Sequence, residues 1–463
     1  MSDQPFKYYI DSPKINEEIS SVCVLIGGWI VAEKGNVISS PTITNSGTYA
    51  QPLTTVSRPD VEAAYLKHDV LAFQEYLSIF DLFQGEYWSI QFLINGNNYS
   101  LPLEFKISQE VVESFLKQKQ NKLQKIREII RCPICESEQM SDFGSILNCC
   151  GCGAKFNAGQ ISYNFLTHGL IQHGDIKPTT NVSAHDYDAI ALKFIEQFKN
   201  GLILDDGCGL RNIYYDNVIN FEIVEYPTTD VLGIGEKLPF KSDVFDAVFS
   251  FAVLEHVKHP FECAKEITRV LKPGGIIYAA VPFLAPFHGF PDHYYNMTSS
   301  GLKNLFSEKC QIIECTVPVA GLPICTLSWL LNSYLRGLPQ PVAEDFRKMK
   351  VSELINDPLE HLYKDFVTQV SPETNEELAC VNSLIAQKLE SNQPSALEQE
   401  HLPSPLHPQQ MNQLQSQLQS TQTKLEQAES LIAAMETSKF WQLRKKWFKL
   451  KKLIGLKEQD VEL

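Results

Sequence analysis

Residues 202–210, Leu-Ile-Leu-Asp-Asp-Gly-Cys-Gly-Leu, decide the fold of this chain. An apolar strand runs into Asp205, and Gly207 and Gly209 then permit a tight turn before sequence that can begin a helix. Toward the C-terminus, VINFEIV ends a second apolar strand at Glu222, and DVLGIGEKLPF supplies a third. The segment VFDAVFSFAVLEHVKHPFECAKEITRVLKPGGIIYAAVPF follows as strand, helix and strand. Alternating βα units at this spacing predict a parallel sheet whose ligands lie at the carboxyl ends of the strands. Lys272-Pro273-Gly274-Gly275 reads as a turn between helix and strand, because Gly stops the helix and Pro forbids its continuation.

The anchors occur in a fixed order: DxGCG, an acid after the next strand, LPF, FD, LEH and RVLKPGG. From about Gly201 to Phe306 this series resembles the type 11 family of class I methyltransferases, which use S-adenosylmethionine. The resemblance implies a Rossmann-like α/β core with the cofactor over Gly207, Cys208 and Gly209, where a Cβ would collide with its methionine part. It implies that Asp205 orients this turn or meets the methionine ammonium through water. Glu222 would accept hydrogen bonds from both ribose hydroxyls, and Glu236, Leu238 and Phe251 would lie on loops around the adenine and sulfonium. Two positions depart from the pattern. Arg211 replaces the third motif glycine, and Ile234-Gly235 replaces the acid that often reads adenine. Either departure would weaken cofactor binding, so a non-catalytic methyltransferase-like scaffold stands as an alternative.

The sulfonium makes the methyl group electrophilic, so the protein's main task is to align a nucleophile with the S–CH₃ bond. An oxygen nucleophile also needs a base. The segment PFLAPFHGFPDHYYNMT offers His288, Asp292, His293, Tyr294 and Tyr295 on the expected substrate side. His293 is the first candidate, because imidazole accepts protons near neutral pH; the same aromatic segment also reads as a lid over the cofactor. His256 reads as a helix-packing residue, with Glu255-His256 opening the helix after the fourth strand. Aromatic and histidine side chains together suit a sugar ring or a flat acceptor. The expected activity is O-methylation of a glycan or other small-molecule acceptor in bacterial surface polysaccharide or secondary metabolism.

Upstream, Cys132-Pro-Ile-Cys135 and Cys149-Cys150-Gly-Cys152 form two C-x-x-C knuckles. Zn²⁺ takes four thiolates tetrahedrally, and a closed four-thiolate site is structural rather than catalytic. Cys132, Cys135, Cys149 and Cys152 are therefore the expected ligands of a zinc ribbon over residues 131–170 that unfolds without its metal, with Cys150 spare. A redox dithiol is the alternative. A ribbon ahead of a methyltransferase also resembles certain ribosomal RNA guanine methyltransferases, which keeps an RNA acceptor open. The net charge of −15 argues against nucleic acid, and apart from Arg131 and Lys155 the ribbon has little basic character.

Outside these segments, the 463 residues exceed one hydrophobic core. Residues 1–108 read as strands broken by Gly, Asn and Pro, an all-β sandwich with a hairpin at Asn95-Gly96. Gly27-Gly28-Trp29 and Arg58-Pro59-Asp60-Val61 resemble an accessory domain found beside bacterial sugar-modifying enzymes, which leaves glycan binding and a plain structural role both open. Residues 109–130 read as a linking helix, 171–340 as the methyltransferase, 341–390 as a helical extension and 391–410 as a disordered linker. A 3,4 apolar spacing over 411–437 predicts a coiled coil and, through it, a homo-oligomer, with a lone solvated helix as the alternative. Residues 438–457 form a basic, Trp-bearing amphipathic helix suited to the inner membrane surface, to a partner or to the protein itself. The N-terminus carries neither a basic nor an apolar signal region, and Leu322–Leu335 is short and reads as a buried helix. Clustered rather than paired cysteines fit a reducing compartment, so the expected location is the cytoplasm.

Overall fold

The computed structural model describes residues 5–384, apart from 34–35, 40, 48, 57, 66–67, 180–181, 183–185 and 290–291. The expected linker at 391–410, coiled coil at 411–437 and amphipathic helix at 438–457 lie outside the described residues.

The N-terminal part folds into two four-stranded antiparallel sheets. One has the order Phe6–Ser12, Cys23–Ala32, Asp69–Ser78, Thr54–Val56, and the other Ala50–Pro52, Thr42–Thr44, Ser89–Ile94, Asn97–Pro102. Strict alternation in Ser89–Ile94 sends Ile90, Phe92 and Ile94 inward to meet Ile26, Ile30 and Phe73 of the other sheet in one apolar cluster. Asn95 and Gly96, with φ of 49° and 81°, close the hairpin between Ile94 and Asn97.

Helix α1 (Gln109–Ile129) does more than link. Its apolar stripe places Leu123 and Ile126 in the core of the following α/β unit. Lys119 and Lys122 lie on the same buried face, where their ammonium groups reach Asp230 at 2.8 and 3.2 Å. Lys122 also donates to the Val218 carbonyl at 2.7 Å and lies over the Tyr214 ring at 3.4 Å.

The α/β unit is built on a nine-stranded sheet. Its parallel part comprises β1 (Ile203–Asp206), β2 (Val218–Glu222), β3 (Val231–Leu232), β4 (Phe245–Phe251) and β5 (Leu271–Ala280), in the order β3-β2-β1-β4-β5. Strands β1 and β2 are buried along their whole length, as parallel strands covered on both faces are. Beyond β3 the sheet continues through Tyr163–Asn164, Lys155–Ala158, Ile146–Cys149 and Met140–Phe143, so the cysteine-bearing strands extend the α/β sheet directly. Helix α2 (Pro260–Val270) turns its apolar face onto the sheet.

Three local expectations change. The Lys272–Gly275 turn is a bulge within β5: Phe245 pairs with Leu271 but Ala247 pairs with Ile276. Glu255 and His256 precede α2, in the loop after β4. Leu322–Leu335 is helical, as α3 (Pro323–Arg336), but not buried: Ile324, Leu327, Trp329 and Leu331 are exposed and Ser333 is the buried residue. Its apolar residues run nearly all round, so hydrophobicity alone could not identify a buried face. No described helix is long and apolar enough to cross a membrane.

Candidate functional site

The turn after β1 is dictated by two glycines. Gly207 has φ 72° and Gly209 φ 60°, and a Cβ on Gly207 would lie 2.3 Å from the Val253 side chain. The amides of Gly207 and Cys208 donate to the Phe221 carbonyl of β2 at 3.0 Å. The Gly209 amide donates to Glu222 Oε2 at 2.7 Å, and Ile223 donates to Oε1 at 2.7 Å. Asp205, Gly207, Cys208, Gly209 and Glu222 are thus gathered at adjoining strand ends. Burial pushes Glu222 up to about 7 despite these two amide donors.

Asp205 has a defined protein partner. Arg211 grips it with two contacts, Nε to Oδ2 at 2.8 Å and a second nitrogen to Oδ1 at 3.1 Å. Tyr187 donates to Oδ2 at 2.5 Å, and its ring lies 4.1 Å from the Arg211 guanidinium carbon. Of the two expected roles, orienting the turn is the one this geometry serves.

The next loop brings up Glu236 and Leu238. Glu236 is buried, and its Oε1 has no hydrogen-bond partner. Leu238 is fully buried, and its amide donates to Glu266 at 3.1 Å. Sequence reading passed over Asp206, whose Oδ2 also lacks a hydrogen-bond partner. Burial, reinforced by Glu222 and Glu236, pushes Asp206 up to about 8. The available signal was an acid immediately after Asp205, inside an otherwise apolar strand. Ile234 is buried, and the acid-rich neighbourhood it leaves is supplied instead by Asp206 and Glu236. Phe251 stacks on Phe249 with centroids 5.5 Å apart and meets Tyr278 edge-on at 4.9 Å.

The segment after β5 is pinned across the loop after β4. Tyr294 and Tyr295 amides donate to the Glu255 carbonyl at 2.7 and 3.1 Å, and Lys177 pairs with Asp292 at 2.6 Å. His293 Nδ1 accepts from the His288 amide at 3.2 Å, and Nε2 donates to Asn296 Oδ1 at 3.1 Å. Both ring nitrogens are therefore occupied. Burial, with His288 and His256 nearby, pulls its pKa down to about 4. This arrangement makes His293 a residue that positions the loop and leaves it without a lone pair for an acceptor proton.

The four cysteines converge separately. Cys132 and Cys152 sulfurs lie 3.8 Å apart, Cys135 and Cys149 sulfurs 3.4 Å apart, and one sulfur from each lies within 4.8 Å of the others. Tetrahedral Zn–S bonds of ~2.3 Å place sulfurs roughly 3.8 Å apart. The knuckles turn at Glu136 and Gly153, both with positive φ, and the Gly151 amide donates to Cys149 Sγ at 3.3 Å. Cys150 is exposed outside this group.

Residues 216–279 match the family described as the methyltransferase domain. The matched segment spans β2 to β5, including Glu222, Glu236 and the loop bearing Glu255. An uncharacterized methyltransferase of Mycobacterium leprae (strain Br4923) is 41% identical over 60 residues, 13% of this chain and 22% of the relative. One of Mycobacterium tuberculosis (strain ATCC 25177 / H37Ra) is 39% identical over 64 residues, 14% of this chain and 25% of the relative. The chain thus spans about a quarter or less of the curated relatives it matches. Among solved structures, phosphoethanolamine N-methyltransferase 2 of Haemonchus contortus in complex with S-adenosyl-L-methionine is 12% identical with a TM-score of 0.24. That match covers 72% of this chain and 68% of the other.

Proposed function

We propose that this protein transfers the methyl group of S-adenosylmethionine to an oxygen of a glycan or other small-molecule acceptor. The observation that carries the reading is the glycine turn after β1 beside buried acids. Gly207 and Gly209 supply the positive φ that the turn needs, and Glu222 stands at the end of β2 beside it. Asp206 and Glu236 add buried oxygens without hydrogen-bond partners, and the adenosine amino and hydroxyl groups are donors that would satisfy such oxygens. The matched methyltransferase segment supports the same reading.

The cofactor supplies a sulfonium-bound methyl when bound. The chain's own contribution is binding and alignment. Arg211 and Tyr187 fix Asp205, Glu222 fixes the Gly209 amide, and Phe287, Tyr294 and Tyr295 after β5 supply aromatic side chains suited to a sugar or flat acceptor. The test is production of S-adenosylhomocysteine by the purified chain across a panel of bacterial surface sugars, phenols and RNA. Turnover with a sugar or phenol that Glu222→Ala abolishes supports the proposal. Turnover with RNA alone would replace the acceptor class, and cofactor binding without any turnover would favour a scaffold.

We also propose that Cys132, Cys135, Cys149 and Cys152 hold a structural Zn²⁺. Sulfur spacing near that of a tetrahedral site supports this, and four thiolates leave no position for substrate.

A further inference from the structure

The loop after β4 and the segment after β5 meet at a cluster to which the proposed activity assigns no task. Glu255, His256 and His288 each bring one ligand atom within 4.8 Å of the others. Glu255 is 0% exposed, and neither of its carboxyl oxygens has a hydrogen-bond partner. Its Oε1 lies 3.8 Å from His256 Nε2, beyond hydrogen-bonding distance. A cation between the carboxylate and the imidazoles would give both oxygens a partner.

Both imidazoles are already oriented for that task. His256 Nδ1 lies 2.6 Å from the Asp292 carbonyl, and His288 Nδ1 lies 2.8 Å from the Pro286 carbonyl. A carbonyl only accepts, so each ring carries its proton on Nδ1 and its lone pair on Nε2. Metal-bound histidines are held in this way, the far nitrogen donating to a carbonyl or carboxylate while the near one ligates. His293 packs against His288 with ring centroids 4.2 Å apart, but its own nitrogens are used within the loop.

We propose that Glu255, His256 and His288 bind a divalent first-row transition-metal ion. Two imidazole nitrogens and one carboxylate suit zinc, iron(II), manganese or cobalt, and three protein ligands leave coordination positions open. The ion would draw the three ligand atoms inward and give the Glu255 oxygens the partner they lack. On the methyl-transfer reading above, an open position here would also take the acceptor oxygen and lower its pKa, a service His293 is not arranged to give. Only that last role rests on the methyl-transfer reading; the ion site does not.

The test uses the full chain, stripped by chelation, reloaded with one equivalent of zinc to fill the thiolate site, and then titrated with cobalt(II). The expected result is one further equivalent bound, with visible bands of nitrogen and oxygen coordination and no sulfur charge-transfer band. Both His288→Ala, in a loop, and Glu255→Gln, which keeps shape and burial, should lose that equivalent and retain the zinc. The proposal is overturned if the parent binds no second ion, or if both variants bind it as the parent does. S-adenosylmethionine binding measured on the same samples separates the two readings. Cofactor binding without a second ion rejects the metal site alone, whereas a second ion without cofactor binding upholds the site and rejects methyl transfer.

Discussion

Arg211 stands where the motif of the resembled family has a glycine, and it closes on Asp205 with two contacts while stacked on Tyr187. Both members of the pair are buried, so removing one leaves the other charged in a low-dielectric site. Arg211→Ala is expected to lower unfolding stability by about 3 kcal/mol in chemical denaturation. An effect near zero would mean that the pair is hydrated. Asp206 gives a pH prediction. A carboxyl raised from near ~4 to about 8 binds a proton in the folded state that it releases when unfolded. Its stabilising contribution is complete below the unfolded value and is lost as pH rises through 8. Asp206→Asn should therefore flatten the fall in melting temperature between pH 5 and 8 and be the more stable protein at pH 8. An unchanged slope would refute the assignment. At this scale, Glu222 and the two glycines were legible because strand ends and positive-φ turns have local signatures. The Asp205–Arg211 pair was not, since it depends on Tyr187 from an earlier segment, and Glu255 read as a helix opening because its role depends on His288 across the site.

Helix α1 shows what periodicity conveys and what it leaves out. Its apolar spacing gave the helix, but nothing in that spacing marked Lys119 and Lys122 as members of the buried stripe. They are held by Asp230, which also accepts from the Tyr214 hydroxyl and is pulled below its usual range chiefly by the two lysines, against burial. Asp230→Ala would strand two buried ammonium groups and is expected to destabilise the protein by several kcal/mol, on the order of 3 to 5, or prevent folding. A double replacement of Lys119 and Lys122 by Met should recover much of that loss, measured as denaturation midpoint. No recovery would show that Asp230 acts through other partners. Helix α3 is the opposite case: its composition suggested burial, yet Ile324, Leu327 and Leu331 are exposed, and only its C-terminal turn, with Tyr334 and Leu335, packs against the Leu338 and Phe346 cluster.

One sheet joins the cysteine-bearing segment to the α/β core. Strand pairing runs without a break from Met140–Phe143 to β5, so the cysteine-bearing strands and the Glu222 site share one sheet, joined where Tyr163 pairs with Val231. The sequence reading separated these parts because a two-residue strand such as Tyr163–Asn164 is too short to carry a periodic signal. Removing the proposed zinc ion should therefore unfold more than the knuckles. Hydrogen exchange after chelation is expected to rise across residues 140–164 and at β3, with β1 and β4 still protected. A rise confined to 132–152 would show that the ribbon is mechanically independent. The central claim is that the turn from Gly207 to Gly209, with Glu222, holds S-adenosylmethionine. Calorimetric titration of the cofactor into the full chain and into Glu222→Ala tests it most directly. Saturable binding by the parent, weakened at least tenfold or about 1.4 kcal/mol in the variant, is the predicted result. A folded, metal-loaded parent that takes up no cofactor, or a variant that binds as tightly as the parent, would contradict it.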